Sequence, residues 1–304
     1  MVLPCSIADL IPQKGKMGFA QTLTQAKLNG NESSAVITED NIFLDNHQQL
    51  SNAVLIEYIN QLTAAVLGYQ ARQGGKEVQK GLFVGLQDAE FFDPVHLGDV
   101  LTLRGYLTEE VSQVSFIQGT IERDGKKIAE LITKLYQTEN LAELSGLTNQ
   151  VQVSPSVNEI SSGCHNLPLY LVSNMHRTLY SYIHETYIGG DEQIFFSIAC
   201  PLDFQAFDGH FPGNPILPGV ILLEIAVVGL EKLLEKTIFL KSIKKMKISG
   251  MVLPGQIVTY EIKVTPNSDD ARARGYSFTT VVKGKDGKEI SRFNGSCNLA
   301  VCNE

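Results

Sequence analysis

The sequence predicts an α+β fold in which two tandem halves each wrap an antiparallel sheet around one long central helix. Three observations carry this. Each half holds one apolar stretch of helical length, at residues 50–70 and 219–235. A stretch apolar on nearly every face reads as a core helix. Around both lie short alternating runs separated by Gly, Asn and Asp turns, as in antiparallel strands. Finally, three segments recur in the same order about 160 residues apart. Val54-Leu-Ile-Glu57 matches Ile221-Leu-Leu-Glu224, Val95-His-Leu-Gly-Asp-Val100 matches Val252-Leu-Pro-Gly-Gln-Ile257, and the Asp124-Gly125 turn matches Asp286-Gly287.

In chain order, residues 9–12 read as a helical turn stopped by Pro12, and 19–26 and 33–38 as strands around Asn29-Gly30-Asn31. Helix 50–70 has Ser51 or Asn52 as its N-cap candidate. Strands follow at 81–92, 100–107, 114–122 and 127–137, the last two joined by the Asp124-Gly125 hairpin. The polar, serine-rich residues 141–165 read as a linker between domains 1–140 and 166–304. The second half repeats the order: strands 177–187 and 193–199, a Gly/Pro-rich loop, helix 219–235, then strands 241–249, 257–265, 276–283 and 289–300.

Composition narrows the class. The 304 residues are 43% hydrophobic and 19% charged, enough apolar material for a sizeable core. A net charge of −8 argues against nucleic acid as a partner. The five cysteines show neither CxxC nor metal-type spacing, so they read as reduced thiols in a cytoplasmic protein, with no metal expected. Residues 1–11 do not resemble a signal peptide, and no apolar run is long enough to predict a membrane span.

Chemistry concentrates in Phe207-Asp-Gly-His-Phe-Pro-Gly-Asn-Pro-Ile-Leu-Pro-Gly219. Glycines and prolines hold His210 in a defined place. A lone loop histidine with a satisfied hydrogen bond is the plainer reading. Gly219 stands at the helix start, where an orphan N–H carries the positive end of the helix dipole and can polarise a carbonyl oxygen. Glu57 and Glu224 occupy matching places in the two apolar helices. Each is either paired with an amide or arginine, or held neutral by burial, which makes a proton donor at pH 7.

Residues 209–224, with their Gly-His-Phe-Pro-Gly loop and helix carboxylate, closely resemble the active-site signature of the β-hydroxyacyl-acyl-carrier-protein dehydratases, which are hot-dog-fold enzymes. Asp9-Leu-Ile-Pro-Gln-Lys-Gly-Lys-Met17 and Ile56-Glu-Tyr-Ile-Asn-Gln61 resemble that family's N-terminal segment and helix. The resemblance covers both halves, more weakly in the first. It implies a tandem double hot-dog, an intramolecular pseudo-dimer whose relatives assemble further into homo-oligomers.

In the family, the histidine of one subunit works with the helix carboxylate of its partner. The resemblance therefore implies His210 as base, Gly219 as donor to the thioester carbonyl, and Glu57, from the other half, as acid. Gln61, four residues after Glu57, would orient it and border the substrate; the matching position after Glu224 is Val228. Phe207, Phe211, Pro215 and Leu217 are expected along the acyl tunnel, with core packing as the alternative. The first half lacks the histidine loop: Phe43 falls where the histidine would, and His47 lies nearby. A second site built on Glu224, with or without His47, is expected to be incomplete.

The implied reaction is dehydration of a (3R)-3-hydroxyacyl thioester to a trans-2-enoyl thioester. The substrate rides on acyl carrier protein or coenzyme A, bringing its own phosphopantetheine, and no cofactor is needed. An acyl thioesterase and a non-catalytic acyl- or carrier-binding protein are the alternatives. The basic run at residues 241–247 reads as a solvated strand or a docking patch for an acidic carrier. Tyr170, Tyr180, Tyr182 and Tyr187 read as strand and interface aromatics.

Overall fold

The computed structural model describes residues 2–27, 30–75, 80–138, 168–211, 213–267 and 275–300. The expected linker, residues 141–165, lies outside them, as do Cys164 and Cys302; Cys5, Cys200 and Cys297 are free thiols.

The first half runs β1 (Cys5–Ser6), β2 (Thr22–Lys27), β3 (Gly30–Val36), β4 (Gln49–Leu50), α1 (Leu55–Gln73), β5 (Lys80–Phe91), β6 (Val95–His96), β7 (Val100–Val111), β8 (Val114–Arg123) and β9 (Lys126–Thr138). The second runs α2 (Asn174–Ser181), β10 (Ile183–Ile188), β11 (Gln193–Ile198), α3 (Gly219–Leu234), β12 (Ile238–Ile248), β13 (Val258–Pro266), β14 (Gly275–Gly284) and β15 (Glu289–Leu299).

Among the described residues, thirteen strands form one sheet in the order β1-β2-β3-β7-β8-β9-β5-β12-β15-β14-β13-β11-β10, every neighbour antiparallel. β4 and β6 pair separately. The halves meet where β5 pairs with β12, Asp88 opposite Lys244 and Glu90 opposite Ser242. Lys244 Nζ reinforces that seam, 2.6 Å from Asp88 and 2.9 Å from Glu90. The basic run is thus partly spent inside the protein, and Lys241 lies over the Phe239 ring.

Each half of this sheet packs one face on its own central helix. β8 shows the strict alternation of a half-buried strand, with Ser115, Ile117, Gly119 and Ile121 inward. α1 is buried on almost all sides through Val66, and α3 through Glu231. Fully burying each leucine or isoleucine contributes about 1.5–3 kcal/mol, so this double-sided burial anchors each half.

Two sequence expectations need correction. Residues 177–187 do not form one strand: α2 comes first, capped by Ser173 Oγ, which accepts from the His176 N–H at 3.3 Å. Met175 and Leu179, one turn apart, bury the face that packs on α3, so helical spacing prevails over the β-propensity of the tyrosines. Tyr180 sits in this helix and meets Lys232, while Tyr182 packs edge-on against Phe204. The first central helix starts at Leu55 rather than residue 50. Leu50 belongs to β4, and the turn Asn52–Val54 precedes the helix with no side-chain cap. Asn52 instead donates from Nδ2 to the Leu240 carbonyl at 2.9 Å, reaching across to the second half.

Candidate active site

The histidine loop is built by the second half and seated on the first. Gly209 has φ +86, which L side chains rarely adopt, and a Cβ there would fall 2.0 Å from the Lys14 carbonyl oxygen. The Lys14 N–H donates to the Gly209 carbonyl at 3.2 Å. This close backbone approach aims the loop at the other half's helix.

His210 Nδ1 lies 2.9 Å from the Ile216 carbonyl oxygen. A carbonyl only accepts, so Nδ1 carries the hydrogen and Nε2 keeps a lone pair. Burial pulls its pKa below the ordinary histidine value, and the backbone hydrogen bonds recover part of that. The ring is therefore a neutral base at pH 7.

Glu57 is 3% exposed on α1. Burial raises its carboxyl to about 7, against the pull of the Gln61, Asn60 and Gln13 amides. Its Oε1 accepts from Gln61 Nε2 at 3.1 Å and from Gln13 Nε2 at 3.4 Å. Oε2 remains to carry and give up a proton. Gln61 is locked in turn: its Oε1 accepts from the Phe19 and Ala20 N–H groups, and its Nε2 also donates to the Met17 carbonyl at 2.6 Å.

Gly219 opens α3. No acceptor for its N–H is found among the described residues, as expected for the first turn of a helix. A Cβ at Gly219 would lie 2.4 Å from Phe83 Cδ1 and 2.9 Å from Ile248 Cδ1, so any other residue would force those side chains to move.

His210, Glu57 and Gly219 line one cavity of about 320 Å³ between the halves. Phe83, Phe211, Leu217 and Leu222 form apolar parts of its wall. A neutral base, a carboxyl that still holds its proton about half the time at pH 7, and an orphan backbone donor therefore face one apolar space. That arrangement can remove a proton at one carbon, protonate a leaving oxygen and hold a carbonyl.

Three expected lining residues are not there. Phe207 turns into the core, edge-on to Phe204 with ring centroids 6.0 Å apart. Pro215 is half-buried away from the cavity wall. Gln61 is fully buried behind Glu57 and does not border the cavity, because four backbone and side-chain partners use up its amide. Gln13 and Asn60 do line it, and sequence reasoning missed both. Gln13 lies within the family-like N-terminal segment, and Asn60 is one helical turn beyond Glu57; both were readable signals.

A second cavity, of about 600 Å³, occupies the opposite junction. Phe43 and Asn52 line it at the positions matching His210 and Gly219, so it has neither that base nor a glycine at the helix mouth. His47 borders it, its N–H bonded to Asp45 Oδ1 at 2.8 Å. Glu224 does not border it, which corrects its pairing with His47. Glu224 instead meets His176, an unforeseen partner whose Nε2 lies 2.8 Å from Glu224 Oε2 and Nδ1 2.8 Å from Glu231 Oε2. Burial alone would lower the His176 pKa, but the flanking Glu231 and Glu224 carboxylates push it up to about 10. Two carboxylates two turns apart in an apolar helix require a cation, and that was the signal available in the sequence.

Among the described residues no His/Cys/Asp/Glu cluster could hold a metal, and no helix is long and apolar enough to cross a membrane.

Comparison with known proteins agrees with the duplication. An ApeP-like dehydratase model matches residues 5–146, and an ApeI-like dehydratase model matches residues 187–290. The 3-hydroxyacyl-acyl-carrier-protein dehydratase FabZ of Clostridium acetobutylicum is 37% identical over 67 residues, covering 20% of this chain and 48% of that protein. The chain spans about half the length of the curated relatives it matches. The dehydratase domain of RzxB from Pseudomonas fluorescens superposes with a TM-score of 0.51 at 15% identity, over 90% of this chain and 96% of that one. An acyl-ACP thioesterase from Bacteroides thetaiotaomicron superposes at 0.52 with 10% identity, over 88% and 98%. Likenesses this distant share the fold alone. With a dehydratase domain matched in each half and the fold shared along nearly the whole chain, the protein belongs to the hot-dog-fold dehydratases, as a double hot-dog.

Proposed function

We propose that this protein dehydrates (3R)-3-hydroxyacyl thioesters carried on acyl carrier protein, giving trans-2-enoyl thioesters. The observation that carries the reading is the shared cavity, in which one half supplies His210 and Gly219 and the other supplies Glu57. The Gly219 N–H holds the thioester carbonyl and favours charge on its oxygen. His210 Nε2 takes the α proton, and Glu57 Oε2 gives its proton to the β oxygen as the C–O bond breaks and the C=C bond forms. Water leaves, and the proton on His210 returns to Glu57 to restore both groups. The thioester acidifies the α carbon, so these residues suffice.

The test follows enoyl product and free thiol together from a 3-hydroxyacyl-pantetheine thioester. Enoyl formation by the native chain, abolished in His210→Ala, supports the proposal. Free thiol without enoyl product refutes it in favour of thioester hydrolysis. Binding of acyl carrier protein with no turnover refutes it in favour of a carrier-binding role.

A further inference from the structure

Two polar atoms of the first cavity lack partners. Gln13 Oε1 and Asn60 Nδ2 are both buried and have no partner in good hydrogen-bond geometry, although the Asn60 amide lies near enough to Glu57 to help hold its pKa down. Their residues, 7% and 5% exposed, line the cavity beside Glu57. Each is held by its other end. Gln13 Nε2 donates to Glu57 Oε1 at 3.4 Å, and Asn60 Oδ1 accepts from Thr133 Oγ1 at 2.9 Å. A buried polar group without a partner costs stability, and its retention next to a reactive carboxyl calls for a reason.

The two orphans are complementary: Gln13 Oε1 accepts and Asn60 Nδ2 donates. Protonated Glu57 adds a second donor through Oε2. A hydroxyl group has one hydrogen to donate and two lone pairs to fill. One acceptor and two donors match that inventory, and an apolar acyl chain matches none of it.

The duplication supplies an internal comparison. Three residues after Glu224 stands Val227, where the first half has Asn60 after Glu57. His176 meets Glu224 where Gln13 meets Glu57, and both of its ring nitrogens are engaged by carboxylates. The complementary pair, one orphan acceptor and one orphan donor, is found on the side that has His210; the side that has Phe43 holds a single orphan amide atom, Asn52 Oδ1, with no donor to match it. Core packing alone would not link the amides to the histidine.

Building on the dehydratase reading, we infer that Gln13 and Asn60 form, with Glu57, the seat for the substrate's β-hydroxyl and for the water it becomes. The β-oxygen donates its hydrogen to Gln13 Oε1 and accepts from Asn60 Nδ2 and Glu57 Oε2. As the C–O bond breaks, the Glu57 proton moves to that oxygen, and the new water keeps its bonds to both amides. Gln13 and Asn60 are specificity-determining residues, and they aim the hydroxyl at the acid.

The test measures binding in a His210→Ala background, where the hydroxyacyl ligand is not consumed. Titration calorimetry compares a 3-hydroxyacyl-pantetheine thioester with its saturated acyl counterpart, which lacks the hydroxyl. The parent should prefer the hydroxyacyl ligand about tenfold, and Gln13→Met or Asn60→Leu should bring that ratio near one while the saturated ligand binds unchanged within about twofold. Should thermal melts show that Asn60→Leu does not fold, Asn60→Ala removes the same donor. Equal weakening of both ligands assigns the amides a packing role and overturns the inference. So does an unchanged ratio, and with enoyl formation by the native chain it leaves the dehydratase reading standing. Absence of enoyl formation by the native chain overturns the reading and the inference together.

Discussion

Replacing Glu57 with glutamine separates activity from stability, and the structure assigns a direction and size to each. The glutamine is nearly isosteric and keeps an oxygen to accept from Gln61 and Gln13, but it cannot deliver a proton. Removing a general acid typically costs about 10²–10⁴-fold in kcat. Stability should move the other way. The Glu57 carboxyl titrates near 7 in the folded chain, against an ordinary value of 4.5. The folded state therefore holds this proton more tightly, and native stability falls as pH rises from 4.5 to 7, then levels off. The gap of about 2.5 units corresponds to about 3 kcal/mol. Glu57→Gln does not titrate, so relative to the native chain it should gain about 3 kcal/mol between pH 4.5 and pH 8. Urea melts at both pH values and enoyl formation at neutral pH read the two effects. Activity within a few-fold of native, or a stability difference that does not change with pH, would refute the assignment of Glu57 as a buried neutral acid.

Other measurements test neighbouring parts of the argument. The pH–rate profile should be a narrow bell, with its acid limb set by His210 below the ordinary histidine range and its alkaline limb by Glu57 near 7; Glu57→Gln should remove the alkaline limb. Gly219→Ala places a Cβ 2.4 Å from Phe83 Cδ1, so thermal or urea melts should show a loss of about 1–3 kcal/mol, relieved in part by Phe83→Leu, and steady-state rates a fall of about 10²-fold as the N–H shifts. His176→Leu leaves Glu224 and Glu231 buried without their cation and should cost about 3–5 kcal/mol at pH 6, measured by urea unfolding. Because the His176 pKa is raised, its stabilisation is complete below 6.5 and fades as pH rises toward about 10, so the variant's deficit should shrink over that range.

Much of the architecture is legible from periodicity. The two apolar helices, the Asp124-Gly125 hairpin and the matched segments report local rules of burial and turn formation, and those rules act on neighbours in the chain. Residues 177–187 mislead because β-branched and aromatic residues there favour a strand, while the Met175–Leu179 spacing that makes a helix is decided by packing on α3. The β5–β12 seam that fuses two sheets into one depends on pairing across more than half the chain, which no local pattern encodes.

The site divides in the same way. The stretch from Phe207 to Gly219 carries the histidine and the helix mouth in one continuous segment, so the sequence by itself determined the candidate base and backbone donor on which the proposed chemistry rests. It also showed that the other half lacks the histidine loop. Only tertiary structure decided which side chains face the reacting space, because a residue's burial and its neighbours arise from elements far apart in sequence. Packing turned Phe207 and Gln61 away from the cavity, brought Gln13 and Asn60 to it, and closed His176 between Glu224 and Glu231. Burial against the second half, by removing water from Glu57, makes that carboxyl an acid at neutral pH.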